Sequence, residues 1–129
     1  MKSSVQTILF ASVFISAFAF TLSSCGKKEN QAPVISIVKP VNNDTITIPD
    51  SLHMEGTVTD DKSLHEVSVL VIKSTGDTSF QEYPYVHELK TYTFHYNFFP
   101  SVPGTYTVQV TAEDHDSKSS TATRNITVN

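Results

Sequence analysis

Along most of the chain apolar and polar residues alternate one by one, in short runs. Val34-Ile35-Ser36-Ile37-Val38 opens the series. In the next run Leu52, Met54, Gly56 and Val58 fall on one side, with His53, Glu55, Thr57 and Thr59 opposite. Val67, Val69 and Val71 repeat the period and stop at Ser74-Thr75-Gly76-Asp77, which reads as a turn. Tyr92, Phe94, Tyr96 and Phe98 line one side of a later run, against Thr91, Thr93, His95 and Asn97; Tyr106, Val108, Val110 and Ala112 form another, and Ile126 with Val128 close the chain. Successive side chains of a strand leave opposite faces, so a period of two predicts half-buried strands. No window repeats apolar residues at helical spacing. Pro40, Pro49, Pro100 and Pro103 fall between the runs, where a missing backbone donor interrupts no ladder. About seven strands in about 100 residues, regularly punctuated by turns, predict an all-β sandwich of antiparallel strands.

The N-terminal segment breaks this pattern. Lys2 precedes an apolar stretch from Ile8 to Leu22, and its core, Ile8 to Phe20, falls short of the roughly 20 residues that span a bilayer. A positive start and a short apolar core predict a signal peptide, with an uncleaved anchor helix as the alternative. Leu22-Ser23-Ser24-Cys25 resembles the lipobox of bacterial lipoproteins. That resemblance implies cleavage before Cys25 and acylation of its thiol by three chains, which makes the membrane itself a partner. Two chains already give stable anchoring. The other reading of Cys25 is a free thiol or half of an intermolecular disulfide. Gly26 stands where some lipoprotein sorting systems read aspartate as an inner-membrane signal, so the resemblance favours the outer membrane, facing either the periplasm or the outside. Residues 26–32 carry Lys27, Lys28, Glu29, Asn30 and Gln31 and no large apolar side chain, as a solvated tether does. The expected division is a signal peptide over 1–24, a lipidated cysteine and tether over 25–32, and one domain over 33–129.

The 129 residues leave room for a single domain. Nine Lys and Arg against 13 Asp and Glu, with no basic run, offer nucleic acid and anionic lipid headgroups no electrostatic footprint. Cys25 is the sole cysteine, so no internal disulfide staples the domain. Motifs of catalysis fail in turn. His65-Glu66 is followed by Val69, and His87-Glu88 by Thr91, where H-E-x-x-H requires histidine. There is no G-x-S-x-G, and the four glycines are too dispersed to cradle a phosphate. The expectation is a module that is not an enzyme.

"TVTDDKSLHEVSVLV" and "PSVPGTYTVQVTAEDHDSKSSTATRNITV" resemble the B–C and F–G portions of bacterial immunoglobulin-like domains of the cadherin and PKD kind. The resemblance implies an immunoglobulin-like sandwich in which Tyr106, after Gly104, makes a tyrosine corner bonded back to the preceding loop. Stretches around His53-Met54-Glu55 and Gly104-Thr105-Tyr106 also resemble a family of small Gram-negative lipoproteins, and that likeness implies a fold rather than an activity. In such a sandwich the B–C and F–G loops share one end, so Asp60 and Asp61 are expected near Asp114, His115 and Asp116. Two readings fit these acids: turn residues bonding nearby backbone, or oxygen ligands for Ca²⁺, as at the acidic end of cadherin-like modules. His53, Glu55 and His95 point away from the core; on neighbouring strands they read either as polar surface or as a Zn²⁺ or Cu²⁺ site. His65, His87 and His115 lie near strand ends, where solvated side chains are expected. "FQEYPYV" places Tyr83 and Tyr85 around Pro84, as a recognition surface for a sugar or protein, or as packing for an edge strand. The leading expectation is a lipid-anchored binding or assembly module without a cofactor, whose partner is an envelope protein or a polysaccharide. The alternative is a lipoprotein that binds calcium or a transition metal.

Overall fold

The computed structural model describes residues 31–129. The signal peptide, Cys25 and most of the tether expected from the sequence lie outside the described residues. Eight strands follow one another: β1 (Val34–Lys39), β2 (Asp44–Ile46), β3 (Leu52–Thr59), β4 (Leu64–Lys73), β5 (Thr78–Glu82), β6 (Thr91–Phe98), β7 (Gly104–Asp114) and β8 (Ser119–Val128). They form a three-stranded sheet, β1-β3-β6, and a five-stranded sheet, β2-β8-β7-β4-β5. This is the layered arrangement of an immunoglobulin-like sandwich, and no helix occurs among the described residues.

The alternation read from the sequence sets the packing. On β3 Leu52, Met54, Gly56 and Val58 are buried, and on β7 Tyr106, Val108, Val110, Ala112 and Asp114 are. Val67, Val69 and Val71 of β4 lie beside the β7 residues on the inner face of the larger sheet, opposite those of β3, and Phe94, Ile126 and Val128 join the same core. β3 and β6 run in unbroken antiparallel register from Leu52↔Phe98 to Thr59↔Thr91. At the outer edge of the other sheet Phe80 of β5 reaches the rings of Tyr96 and Phe98, with centroids 5.8 and 6.1 Å away. The Tyr92 and Tyr96 hydroxyls lie 2.7 Å apart. Burial, and then that hydrogen bond, push the Tyr96 phenol well above its ordinary range.

β2 is the strand that alternation does not reveal. It has three residues, runs parallel to β8, and turns only Ile46 toward the core. Parallel pairing at the edge extends the larger sheet without any periodic run of its own.

The connection into β7 carries the tyrosine corner. Gly104 takes φ +145°, a backbone state strained for any side chain, and lets the strand begin directly after Pro103. Two residues on, the buried Tyr106 donates its hydroxyl proton to the Val102 carbonyl at 2.6 Å. That bond ties the β6–β7 crossover to the core. Tyr106→Phe keeps the ring and leaves the carbonyl without this donor, and is expected to lower unfolding free energy by about 1 kcal/mol. Urea denaturation measures it as a lower midpoint at unchanged slope.

Candidate functional site

One end of the sandwich gathers three segments that are far apart in sequence: the start of β4, residues 83–90 between β5 and β6, and the β7–β8 connection. Backbone hydrogen bonds pin the first two together. The Asp60 amide donates to the Lys90 carbonyl at 2.9 Å and the Leu64 amide to the Leu89 carbonyl at 2.7 Å. Val86, fully buried, anchors the middle of the 83–90 segment in the core. The Leu89 amide closes a turn on the Val86 carbonyl at 2.9 Å, with Glu88 at φ +69°. Glycine or asparagine is the usual occupant of such a left-handed turn position.

Alternation fails once on β4, at His65 and Glu66, which are both exposed between buried Leu64 and buried Val67. The register explains it. Leu64 pairs with Asp114 and Glu66 with Glu113, so β4 spends one more residue than β7 there. This is a β-bulge, and a bulge re-aims the side chain of the extra residue. His65 accordingly comes within ring contact of His87 and His115.

The third segment is shaped by a buried carboxylate. Asp114 is 1% exposed, and its Oδ1 accepts hydrogen bonds from the amides of Asp116, at 2.8 Å, and Lys118, at 2.9 Å. The Asp114 amide in turn donates to the Lys118 carbonyl at 3.0 Å. These bonds fix the connection and hold His115 beside the other two imidazoles.

The result is a cluster. Ring centroids lie 4.5 Å apart for His87 and His115, 4.9 Å for His65 and His115, and 5.6 Å for His65 and His87. One nitrogen from each ring lies within 4.8 Å of the other two, and among the described residues no other set of three His, Cys, Asp or Glu converges so closely. Glu88 Oε1 stands 3.4 Å from His87 Nδ1 and 3.8 Å from His115 Nε2. Tyr85, 87% exposed, stacks near His87 at a centroid distance of 6.2 Å and 21° between planes.

The residues singled out from sequence fall in three places. Asp60, Asp61, Asp114 and Asp116 do share the end that the fold analogy implied, since Lys62 Nζ reaches Asp116 Oδ2 at 2.8 Å across the two loops. Turn bonding occupies much of the set: Asp60 Oδ1 accepts from the Lys62 amide at 2.9 Å, as Asp114 does within its own turn. Lys90 Nζ donates to the Asp61 carbonyl at 3.2 Å. Asp60 Oδ2 and Asp61 Oδ1 are buried without a hydrogen-bond partner. On the outer face of the smaller sheet Glu55 and His95 stand directly opposite each other, with Oε1 and Nδ1 3.9 Å apart. His53 sits two residues along β3, 3.3 Å from Ser51 Oγ, and the Lys39 ammonium shares Glu55 at 3.4 Å. Tyr83 and Tyr85 both lie on the surface, while the apolar packing of that region falls to Phe80 and Val86.

The Lys62–Asp116 pair gives a pH signature. The hydrogen bond from Lys62 holds the Asp116 carboxyl below its ordinary value, and Asp116 raises the Lys62 ammonium. The carboxylate's contribution is therefore present above about pH 4 and lost as pH falls through its depressed value. The ammonium's contribution holds below about pH 10.4 and is lost only above it. Melting curves of the parent and of Lys62→Met are expected to differ slightly at pH 7 and to converge near pH 2.

A family model described as bacterial Ig domain matches residues 33–128. The chain belongs to that family. No curated protein matches this bacterial Ig domain by sequence. Among solved structures it is similar to an engineered protein at 18% identity and TM-score 0.55, covering 75% of this chain and a fifth, 20%, of that one. The fibronectin(III)-like modules of Clostridium thermocellum CbhA align at 11% identity and TM-score 0.52, over 74% of this chain and 94% of theirs. The CARDB domain of Pyrococcus furiosus PF1109, solved in complex with di-metal ions, aligns at 14% identity and TM-score 0.51, over 78% and 89%. At these identities the likeness concerns the fold alone.

Proposed function

We propose that this bacterial Ig domain is a non-catalytic binding or assembly module, moored to the outer membrane through acylated Cys25 and facing either the periplasm or the outside. The observation that carries the binding role is the end built from three segments, where Tyr83, Tyr85 and Leu89 are exposed on a stretch pinned by Val86 and by the Leu64–Leu89 and Asp60–Lys90 hydrogen bonds. Exposed aromatics on a fixed backbone lose little freedom on binding and offer both an apolar face and a hydroxyl to a protein or a polysaccharide. The mooring is supported by the Leu22-Ser23-Ser24-Cys25 motif and the polar tether after it. Confinement to a surface raises the effective concentration toward anything else held there, so weak intrinsic affinity suffices.

The buried, unpartnered oxygens of Asp60 and Asp61 favour a second reading, in which Ca²⁺ steadies this end. A melting temperature that rises with calcium and falls with chelator supports that reading, and identical curves remove it.

The test of the module is crosslinking in intact membranes. Cys25→Ala is expected to move the protein to the soluble fraction, and Tyr83→Ala with Tyr85→Ala to leave it membrane-bound while its crosslinked partners are lost. A Cys25→Ala protein still in the membrane contradicts the mooring; unchanged partners in the tyrosine variant contradict the surface.

A further inference from the structure

The geometry points to a binding site for one divalent transition metal, Zn²⁺ or Cu²⁺, formed by His65, His87 and His115, with Glu88 as the carboxylate that orients the imidazoles. It goes beyond the module reading and does not depend on the membrane anchor.

Four observations meet in it. The three rings come from separate segments and yet place one nitrogen each within 4.8 Å of the others. Zinc–nitrogen bonds of 2.0–2.1 Å at tetrahedral angles put ligand nitrogens about 3.3 Å apart, so closure requires each ring, His87 half-buried and the other two exposed, to move by roughly 1 Å. Rotation about the side-chain torsions of a partly solvated histidine supplies that movement without disturbing the backbone. Second, the β-bulge at His65 costs a regular ladder step, and what it achieves is to turn this side chain out beside His115. Third, the strained backbone of Glu88 carries a carboxylate to both His87 and His115. A left-handed conformation on a non-glycine residue marks a constrained position, and a carboxylate next to an imidazole nitrogen is the usual partner that fixes tautomer and ring orientation at metal sites. Fourth, each of the three segments is held: Leu64 and Leu89 by their mutual backbone bond, and the β7–β8 connection by Asp114.

The donor set decides the class of ion. Three neutral imidazoles match the borderline softness of Zn²⁺ and Cu²⁺ and suit Ca²⁺ or Mg²⁺ poorly. Three protein ligands leave a further position open to water or to a donor from a partner. Tyr85 stacks on the neighbouring His87 ring.

The test is calorimetric titration of the full chain, purified in detergent and carrying no histidine tag, with ZnCl₂ and separately with CuCl₂. One equivalent is expected to bind. His87→Ala, His115→Ala and His65→Ala should each weaken binding at least tenfold, while a His53→Ala, His95→Ala double variant and Cys25→Ala leave it unchanged. Circular dichroism confirms that each variant keeps the fold, as surface histidines allow. Glu88→Gly provides an opposed pair of readouts: weaker binding by about tenfold, together with a melting temperature no lower than the parent's, because glycine relieves the left-handed turn. No binding by the parent protein, or binding that survives the triple His65, His87, His115 replacement, overturns the site. Full affinity in Glu88→Gly removes Glu88 from it.

Discussion

Gly56→Ala is expected to destabilise the sandwich by about 3 kcal/mol, the upper end of what one added methyl costs in a packed core. Gly56 lies on β3, the central strand of the smaller sheet, between Ile37 of β1 and Phe94 of β6. A Cβ built there overlaps the buried ring of Phe94 and the carbonyl oxygen of Ser36. The ring can tilt at some expense to its neighbours, among them Tyr96 with its centroid 6.5 Å away. The Ser36 carbonyl belongs to the β1–β3 pairing and yields only if the strand shifts. Shrinking the ring in a Gly56→Ala, Phe94→Leu double variant therefore recovers only part of the loss. Urea midpoints of the four proteins of that cycle measure the split. A Gly56→Ala protein within about 0.5 kcal/mol of the parent contradicts the close approach.

Asp114→Ala is expected to cost about 2–3 kcal/mol, because two backbone amides lose a charged acceptor inside the protein. Asp114→Asn keeps an oxygen at Oδ1 and should retain about half of that contribution, since a neutral acceptor is roughly half as strong. The two variants also separate fold from site. Asp114 sets the loop that carries His115, so its loss should weaken zinc binding even where the protein stays folded. Thermal melts and zinc titrations of the same samples give both numbers. Undiminished affinity in a folded Asp114→Ala protein contradicts the positioning role.

The smaller sheet was legible in the sequence because its alternation is strict. β3 and β6 coincide with the runs Leu52–Thr59 and Thr91–Phe98, and the inward side of each is the apolar one. Tyr106 after Gly104 was expected as a corner through the resemblance to immunoglobulin-like domains rather than through periodicity, and its hydroxyl does bond back to the Val102 carbonyl. β2 was illegible: three residues with one inward side chain make no period, and its parallel partner β8 lies at the far end of the chain. The histidine cluster was hidden by distance along the chain, and its members looked like ordinary solvated strand ends. One signal did exist. His65-Glu66 sets two consecutive polar residues between the apolar Leu64 and Val67, both buried, and such a pair marks a bulge. What the sequence could not supply was the course of residues 83–90, whose path depends on backbone bonds to β4 and on Val86 reaching the core. The acidic end was the opposite case. Topology alone brought Asp60, Asp61, Asp114 and Asp116 to one end, while their turn bonds and lysine partners emerged only with the loops in place.

The convergence of three imidazoles at the pinned end of the sandwich is read most directly by nitrogen-edited NMR of the histidine rings during a zinc titration. The account predicts that signals of His65, His87 and His115 shift together and saturate at one equivalent, while those of His53 and His95 stay in place. Shifts confined to His53 and His95, or three cluster histidines that respond independently of one another, contradict it.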